Sequence, residues 1–528
     1  MKRVLALVST LALFSCATPP LTKEQTLVNR AVDAMGGAER LAAVRSVAAK
    51  GTTKQWEPEQ SDVPGGEMRF ANETTFDVVQ DRGQRASRTD IERRFAYPAP
   101  RTFKFTEVVT PDAGYVLGVD TNGRNAQSQK MTPPAHSMSG ARLATTQRES
   151  LRATTTGLLL QMHANPAQVR PALDVVAGGR SYPAVAYGPF TVAFDPQTGL
   201  PVRVRTLDYD NVWGDVNYDL VFSDWRSYDG LRVPMNRKYE LNGRLIQESQ
   251  LTDFRANVPV DAARFEVPQD LRADAAKPAG GNVPYQWVIR RQFIGTYLDS
   301  DNVSYDTRAS QPGLRLQEIA PGVHHVVGGS HNSLLVEMAD HLVMVDAPVS
   351  DAQSIWVVNQ AKARFPGKPI RWLVLTHHHM DHAGGVRGVL AEGAVLVVGQ
   401  GAREHYRKVL AAPMTRNPDM KPVDFSGVQI LEVPESHVMR DASGRQVVAY
   451  AILDNPHAKG MLMAYVPHAK LGFVTDLWTP GLPLPDKANP ALTSVVNTVK
   501  RAGIDPERFA GGHGSTAAYD GLAKLAGN

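Results

Sequence analysis

Residues 375–385 read LTHHHMDHAGG, with four histidines and one aspartate inside six positions, directly after the apolar run 370–375. If the backbone is extended here, alternate side chains share a direction. His377, His379 and Asp381 then converge, while His378 and Met380 point the other way. His382 enters from a different angle. Imidazole and carboxylate donors suit a borderline cation such as zinc, although iron and manganese accept the same groups, and a first pair followed by a separate second pair points to two ions. Two divalent cations sharing a water lower its pKa, so hydroxide forms near neutral pH and no side-chain nucleophile is required. A cation also stabilises an oxyanion as it develops. The chemistry indicated is metal-assisted hydrolysis, with Asp381 orienting the attacking oxygen.

The HxHxDH spacing at a strand end, followed by AGG, resembles the metallo-β-lactamase superfamily, and the whole string THHHMDHAGG is most similar to its glyoxalase II branch. The resemblance implies three further ligands in chain order. NPHAKGMLMAYVP supplies His457, with Gly460 three residues on. His437 competes for that role but lacks the following glycine and the direct run into strands, and His468 falls in a turn as a surface residue. LGFVTD ends a strand on Asp476, the implied bridging carboxylate, and AGGHGS supplies His513. The implied assignment puts His377, His379 and His457 on one metal and Asp381, His382 and His513 on the other, with Asp476 shared. Asp346 in LVMVDAP matches the acidic residue the family keeps near the site and would support the ligands from behind. His324, His325, His331 and His341 match no ligand position and read as structural or surface residues.

Departures from the family's branches narrow the expectation. Glyoxalase II proteins carry a C-terminal helical domain that holds glutathione, whereas fifteen residues follow His513 here, which argues against glutathione thioesters. The zinc β-lactamases generally lack a bridging aspartate, so Asp476 argues against β-lactam cleavage. Acyl-homoserine lactonases place a tyrosine just after that aspartate, where this chain has Leu477, Trp478 and Thr479. Nuclease branches add large domains of their own. Flavodiiron oxidoreductases have a glutamate where His379 stands, which ranks iron-dependent redox chemistry below hydrolysis. The reading is a dinuclear zinc-dependent hydrolase acting on an ester, lactone, thioester or related bond of a small-molecule substrate. A second reading is a non-catalytic envelope binding or carrier protein whose metal motif is only a scaffold.

The elements that must position these residues alternate strands and helices from Leu314 onward: LLVEM, HLVMVDAP, DAQSIWVVNQAKARF, IRWLVLT, GGVRGVLAEG and AVLVVG. That alternation indicates an α/β layered domain over 312–528, and the resemblance implies an αββα sandwich. Upstream, Leu27, Val28, Ala31, Val32 and Met35 share one helical face, Gly36 and Gly37 break the helix, and a short helix Ala38 to Val44 follows. From Val47 to Pro268 the period changes to two, as in Val216, Tyr218, Leu220 and Phe222, with turn signals such as DPQTGLP between strands. This predicts an α+β domain over 23–268 with an antiparallel sheet buried on one face. Its order of elements resembles the lipoprotein-carrier (LolA/LolB-like) fold, which implies a curved sheet over helices. Residues 269–311 begin as a Pro-, Ala- and Gly-rich linker and continue into a segment where Trp287, Val288, Phe293, Ile294 and Tyr297 could form a bridging amphipathic helix.

At 528 residues the chain is too long for one ordinary core. A hydrophobic share of 43% and a charged share of 21% describe ordinary folded protein. The formal charge of +4, lowered to about +2 without Lys2 and Arg3, is no footprint for nucleic acid. MKRVLALVSTLALFSC has a basic start and an apolar stretch too short to span a bilayer. It resembles a bacterial lipoprotein signal over 1–16, with Leu13, Phe14, Ser15 and Cys16 in place of the lipobox, which implies lipidation at Cys16. Ala17 implies sorting to the outer membrane, facing the periplasm. Cys16 is the one cysteine of the sequence, so neither an intrachain disulfide nor a thiolate metal ligand is available.

Overall fold

The computed structural model describes residues 21–57, 59–97, 99–120, 130–272, 313–329 and 331–526. Cys16 and its signal, the bridging segment 285–312 and most of the linker lie outside these residues.

The first helix, Lys23–Ala34, opens on a capping box in which the Thr22 hydroxyl accepts from the Gln25 amide, and its buried face is Val28, Ala31 and Val32. Gly36 and Gly37, both at positive φ, turn the chain into the short helix Ala38–Ala42. Thirteen antiparallel strands then form one sheet. The long first strand Ser46–Glu57 sits in mid-sheet, paired on one side with Arg69–Asp81 and on the other with Arg244–Ala256. From these two neighbours the strands step outward in chain order to Ala135–Ser137 at one edge and to Ala184–Tyr187 on the other side, where Arg170–Pro171 forms the edge across a separate two-stranded ribbon, Val175–Ala177 and Arg180–Tyr182.

The sheet is predominantly antiparallel as expected, and within the stretch read as period two, from Val47 to Pro268, helices Gly140–Ala153 and Thr155–Ala164 come between its strands. Ser139 caps the first of them by accepting from the Arg142 amide. Leu158, Leu159 and Met162 of the second join the first helix and the inner strand residues Val204, Val216, Tyr218 and Leu220 in one core. The buried Arg152 donates to the carbonyls of Val204 and Tyr218 and so ties the helical layer to the sheet.

The second domain has two sheets face to face. A seven-stranded sheet is antiparallel up to Leu342–Val345 and parallel from there through Ile370–Val374, Val395–Gly399 and Ile430–Val433. A six-stranded sheet packs on it through Val345, Val374, Val397, Leu462, Phe473 and Ala510. Helices Asp351–Arg364, Val386–Leu390 and Arg403–Ala411 cover the first sheet, and Pro490–Ala502 and Tyr519–Ala526 cover the second. The layering is αββα. The loops that carry the chemistry leave strands Leu342–Val345, Ile370–Val374, Leu471–Val474 and Arg508–Gly511, and the loop before Leu462–Val466 joins them.

The two domains interlock through polar contacts. Arg387, wholly buried, donates to the carbonyls of Asn211 (2.6 Å) and Val212 (3.1 Å) and to that of Val409 in its own domain. The Asn211 amide donates to the Val349 carbonyl at 2.7 Å, and the Asp215 carboxylate accepts from the Thr415 amide and hydroxyl and from the Arg416 amide. Gly214 makes this approach possible: at φ +74° a side chain there would stand 2.2 Å from the Pro413 carbonyl oxygen.

Candidate metal centre

Strand Ile370–Val374 ends before the histidine string, and a helical turn, Met380–Ala383, begins inside it. The expected extended backbone therefore stops at His379. His377 and His379 reach inward from the connecting segment, whereas Asp381 and His382 arrive from the first turn of the helix. His378 turns away, its Nε2 lying 3.0 Å from the Ser61 carbonyl oxygen.

Three ring nitrogens meet on one side of the site. His457 Nε2 is 3.3 Å from His377 Nε2 and 3.0 Å from His379 Nδ1. Asp476 follows strand Leu471–Val474 at a left-handed φ of 57°. Its Oδ2 lies 3.3 Å from His377 Nε2, 3.5 Å from His457 Nε2 and 3.0 Å from His382 Nε2, and its Oδ1 lies 2.7 Å from His513 Nε2. This carboxylate touches both groups of histidines. Three residues after His457 the chain passes close to Gly399, where a side chain would stand 1.7 Å from the Gly460 carbonyl oxygen.

On the other side, the candidate ligand atoms of Asp381, His382 and His513 cluster with those of His331. The reading of His331 as a structural or surface residue is thereby corrected: its Nε2 is 3.2 Å from Asp381 Oδ2, and its ring meets those of His382 and His513. His331 follows the strand Val323–Val327, which carries His324 and His325, and no ligand-type spacing marks it. The other unassigned histidines lie elsewhere. His325 bonds the Gly511 carbonyl, His324 meets Arg364, His341 pairs with Asp340, and His437 packs on Trp372.

Asp346 sits behind His382, fully buried and at a φ of 63°. Its Oδ1 accepts from the Thr376 amide at 2.7 Å, and its Oδ2 accepts from the Thr376 hydroxyl at 2.9 Å and from His382 Nδ1 at 3.1 Å. The Nδ1 proton of His382 is thus held, and its Nε2 faces Asp476.

Burial, then the charges of neighbouring imidazoles, pushes His377 well below the usual histidine range and lowers His379 and His331 to about 3. These rings are neutral at pH 7, each with a lone pair to offer. Burial opposes ionisation of Asp381 and Asp476, but His331 and His382 hold the first, and His382, His513 and His457 the second, well below the carboxylate range. His382 is the exception among the rings. Burial disfavours its charge, yet Asp476, Asp346 and Asp381 together hold its pKa well above normal. A positive charge is therefore favoured at the middle of the site. The donor set fits a cation on geometry also: tetrahedral zinc–nitrogen bonds separate ligand nitrogens by roughly 3.3 Å, close to the 3.0 and 3.3 Å separations around His457.

The N-terminal domain reaches this site, which no sequence feature indicated. Between strands Ser46–Glu57 and Arg69–Asp81 the chain dips toward the histidines. Gln60 Nε2 donates to Asp381 Oδ1 at 2.7 Å, and Tyr97 donates its hydroxyl to Gln60 Oε1 at 2.8 Å. Burial, and then the charge of Asp381, keeps the Tyr97 phenol protonated far above its usual range. His379 Nε2 lies 2.9 Å from the Ser61 carbonyl oxygen, and Arg69, stacked over the Tyr97 ring, donates to the His457 carbonyl at 3.0 Å.

Residues 326–513 match the family model described as the metallo-beta-lactamase superfamily. The second domain is thus a metallo-beta-lactamase superfamily domain, with the hydrolase-type fold that this implies. No curated protein matches the chain. Among solved structures, the stereoselective inverting sec-alkylsulfatase Pisa1 from Pseudomonas sp. is 16% identical at a TM-score of 0.30, and the match covers 40% of each chain. The chain therefore spans less than half the length of that protein. A metallo-beta-lactamase from Hirschia baltica is 19% identical at a TM-score of 0.31, covering 40% of this chain and 96% of its own. One from Pontibacter korlensis is 16% identical at a TM-score of 0.32, covering 40% and 97%.

Proposed function

We propose that the protein is a dinuclear metal-dependent hydrolase, with zinc as the resident ion, acting on an ester, lactone, thioester or related bond of a small-molecule substrate. The observation that carries this reading is the position of Asp476, one carboxylate within 3.5 Å of histidines from both donor groups. His377, His379 and His457 would hold one ion; Asp381, His382 and His513, joined by His331, would hold the other; Asp476 would serve both. Ions bound there would supply an activated water and a Lewis acid for the scissile carbonyl. The chain's own part is to keep His377, His379 and His331 neutral, to fix His382 through Asp346, and to hold Asp381 ionised beside the place where substrate would lie.

The N-terminal sheet and its helices support a lipoprotein-carrier-like module, and the first sixteen residues a lipid anchor at Cys16 that would hold the enzyme on the outer membrane, facing the periplasm. The test is metal analysis of the chain from Ala17 onward, followed by a hydrolysis screen against ester, lactone, thioester, β-lactam and phosphodiester substrates beside Asp381→Ala. Two equivalents of metal and a chelator-sensitive activity lost in the variant are expected. Activity equal in both proteins would sink the mechanism.

A second reading, a binding role for the N-terminal domain, is favoured by a cavity of about 610 Å³ lined by Leu41, Val44, Val109, Leu151 and Leu160, with Arg45 and Arg82 at its polar part. An apolar fluorescent probe should bind the full chain equally with and without metal. A probe that binds only the metal-loaded chain would remove that reading.

A further inference from the structure

We propose that Gln60 and Ser61 of the N-terminal domain are positioning residues of the metal centre, which is complete only when the two domains are packed together. The inference rests on the reading of the histidine and aspartate cluster as a metal site.

Gln60 is held from both ends. A carboxylate only accepts hydrogen bonds, so the amide must present its NH2 to Asp381 and therefore its oxygen to Tyr97, whose hydroxyl is the donor. The orientation of the amide follows from the chemistry of its two partners. With Oδ1 of Asp381 taken by Gln60, Oδ2 is the oxygen that faces His331, at 3.2 Å, and His382, at 3.9 Å. Gln60 thus selects which carboxylate oxygen looks toward the second group of donors.

Ser61 acts through its backbone. A carbonyl cannot donate, so a bond to His379 Nε2 requires the proton on that nitrogen and leaves Nδ1 bare, facing His457 Nε2 at 3.0 Å. The same carbonyl lies 3.0 Å from His378 Nε2, and the Ser61 hydroxyl lies 3.2 Å from that atom, which holds His378 out of the centre. One peptide unit therefore separates the two neighbouring histidines into a donor facing the site and a residue tied to the domain contact. The loop itself is anchored on the other domain, because the Lys459 amide donates to the Asp62 carbonyl at 2.8 Å and Arg69 bonds the His457 carbonyl. Outer hydrogen-bond partners of this kind set ligand orientation and basicity, and their loss typically weakens metal binding by about 10- to 100-fold.

The test compares the full chain with Gln60→Leu, Tyr97→Phe and the double variant, each titrated with zinc against a chelating competitor and loaded with cobalt(II) for visible spectroscopy. Gln60→Leu should weaken one of the two bound ions by about 10- to 100-fold and alter the cobalt bands of that ion alone. Tyr97→Phe should have a smaller effect of the same kind, and the double variant should be no worse than Gln60→Leu, since the tyrosine acts through the amide. Should Gln60→Leu not fold, Tyr97→Phe carries the comparison by itself. In metal-free protein, nitrogen NMR of labelled histidines should find His379 protonated on Nε2. Wild-type affinities and spectra in the variants, or the opposite tautomer at His379, would overturn the proposal. A wild-type chain that binds no metal would instead remove the hydrolase reading and this one with it.

Discussion

The two domains meet the candidate centre in different ways. Every expected metal donor belongs to the C-terminal sandwich, at strand ends along one rim, where the sheet fixes backbone position and short loops set side-chain direction. The N-terminal sheet offers no donor to the clusters found among the described residues, yet it bonds Asp381, His379 and the His457 backbone from one loop and one strand. Donor chemistry and donor orientation are thus divided between domains. A domain that appears separable by its sequence texture is, in three dimensions, a wall of the site.

That division can be broken from either side. The largest effect is expected from the sandwich: His377→Ala should lower hydrolysis by about a thousandfold or more, roughly 4 kcal/mol of transition-state stabilisation, with loss of one ion by metal analysis. The domain contact comes next. Arg387→Met leaves the carbonyls of Asn211, Val212 and Val409 buried without their shared donor and should cost about 3 kcal/mol in denaturant unfolding. If stability were unchanged, the interlocking of the domains would have no energetic weight.

Within the centre, His331→Ala should weaken one ion by about 10- to 100-fold, read by chelator competition, and leave the three-histidine side in place. Equal loss of both ions would show that the two donor groups act as one.

At neutral pH the smallest effect belongs to His405, which packs at the domain contact against Trp213 and His378 and is lowered by burial to about 4, so that its weight shows only in acid. A histidine whose folded pKa lies below its unfolded value binds its proton first in the unfolded chain. Its stability contribution is therefore intact above pH 6.5 and declines as pH falls toward 4, by up to roughly 1.4 kcal/mol per pH unit. His405→Gln should flatten that acid limb in thermal melts of the metal-free chain. A limb of unchanged slope would place the acid sensitivity elsewhere.

Much of the C-terminal arrangement was legible because metal ligation imposes a local vocabulary. His377, His379, Asp381 and His382 stand within six positions, and His457, Asp476 and His513 each sit beside the glycines or strand ends that such loops require. The structure brings all seven together, although through a helical turn rather than an extended run. His331 was not legible, since a lone histidine after a strand resembles His325 or His341, and only the folding of the sheet carries it to Asp381. Helices Gly140–Ala153 and Thr155–Ala164 were missed inside a region of strong strand alternation. Their placement depends on long-range burial of Leu158 and Met162 against the first helix, which a short window of sequence does not contain.

The sequence by itself determined the first four candidate donors, His377, His379, Asp381 and His382, because ligand type and spacing are properties of a short stretch of chain. It also determined the division into a sheet-rich and a layered domain, because hydrophobic periodicity is equally local. The tertiary structure alone decided that Gln60 meets Asp381, Ser61 meets His379 and Arg69 meets His457, each across more than three hundred residues of chain, with Tyr97 behind Gln60. Those contacts arise where a loop of one domain is pressed against the rim of another. Such a meeting depends on the packing of Arg387, Asn211 and Asp215 across the domain contact, which leaves no periodic mark in the sequence.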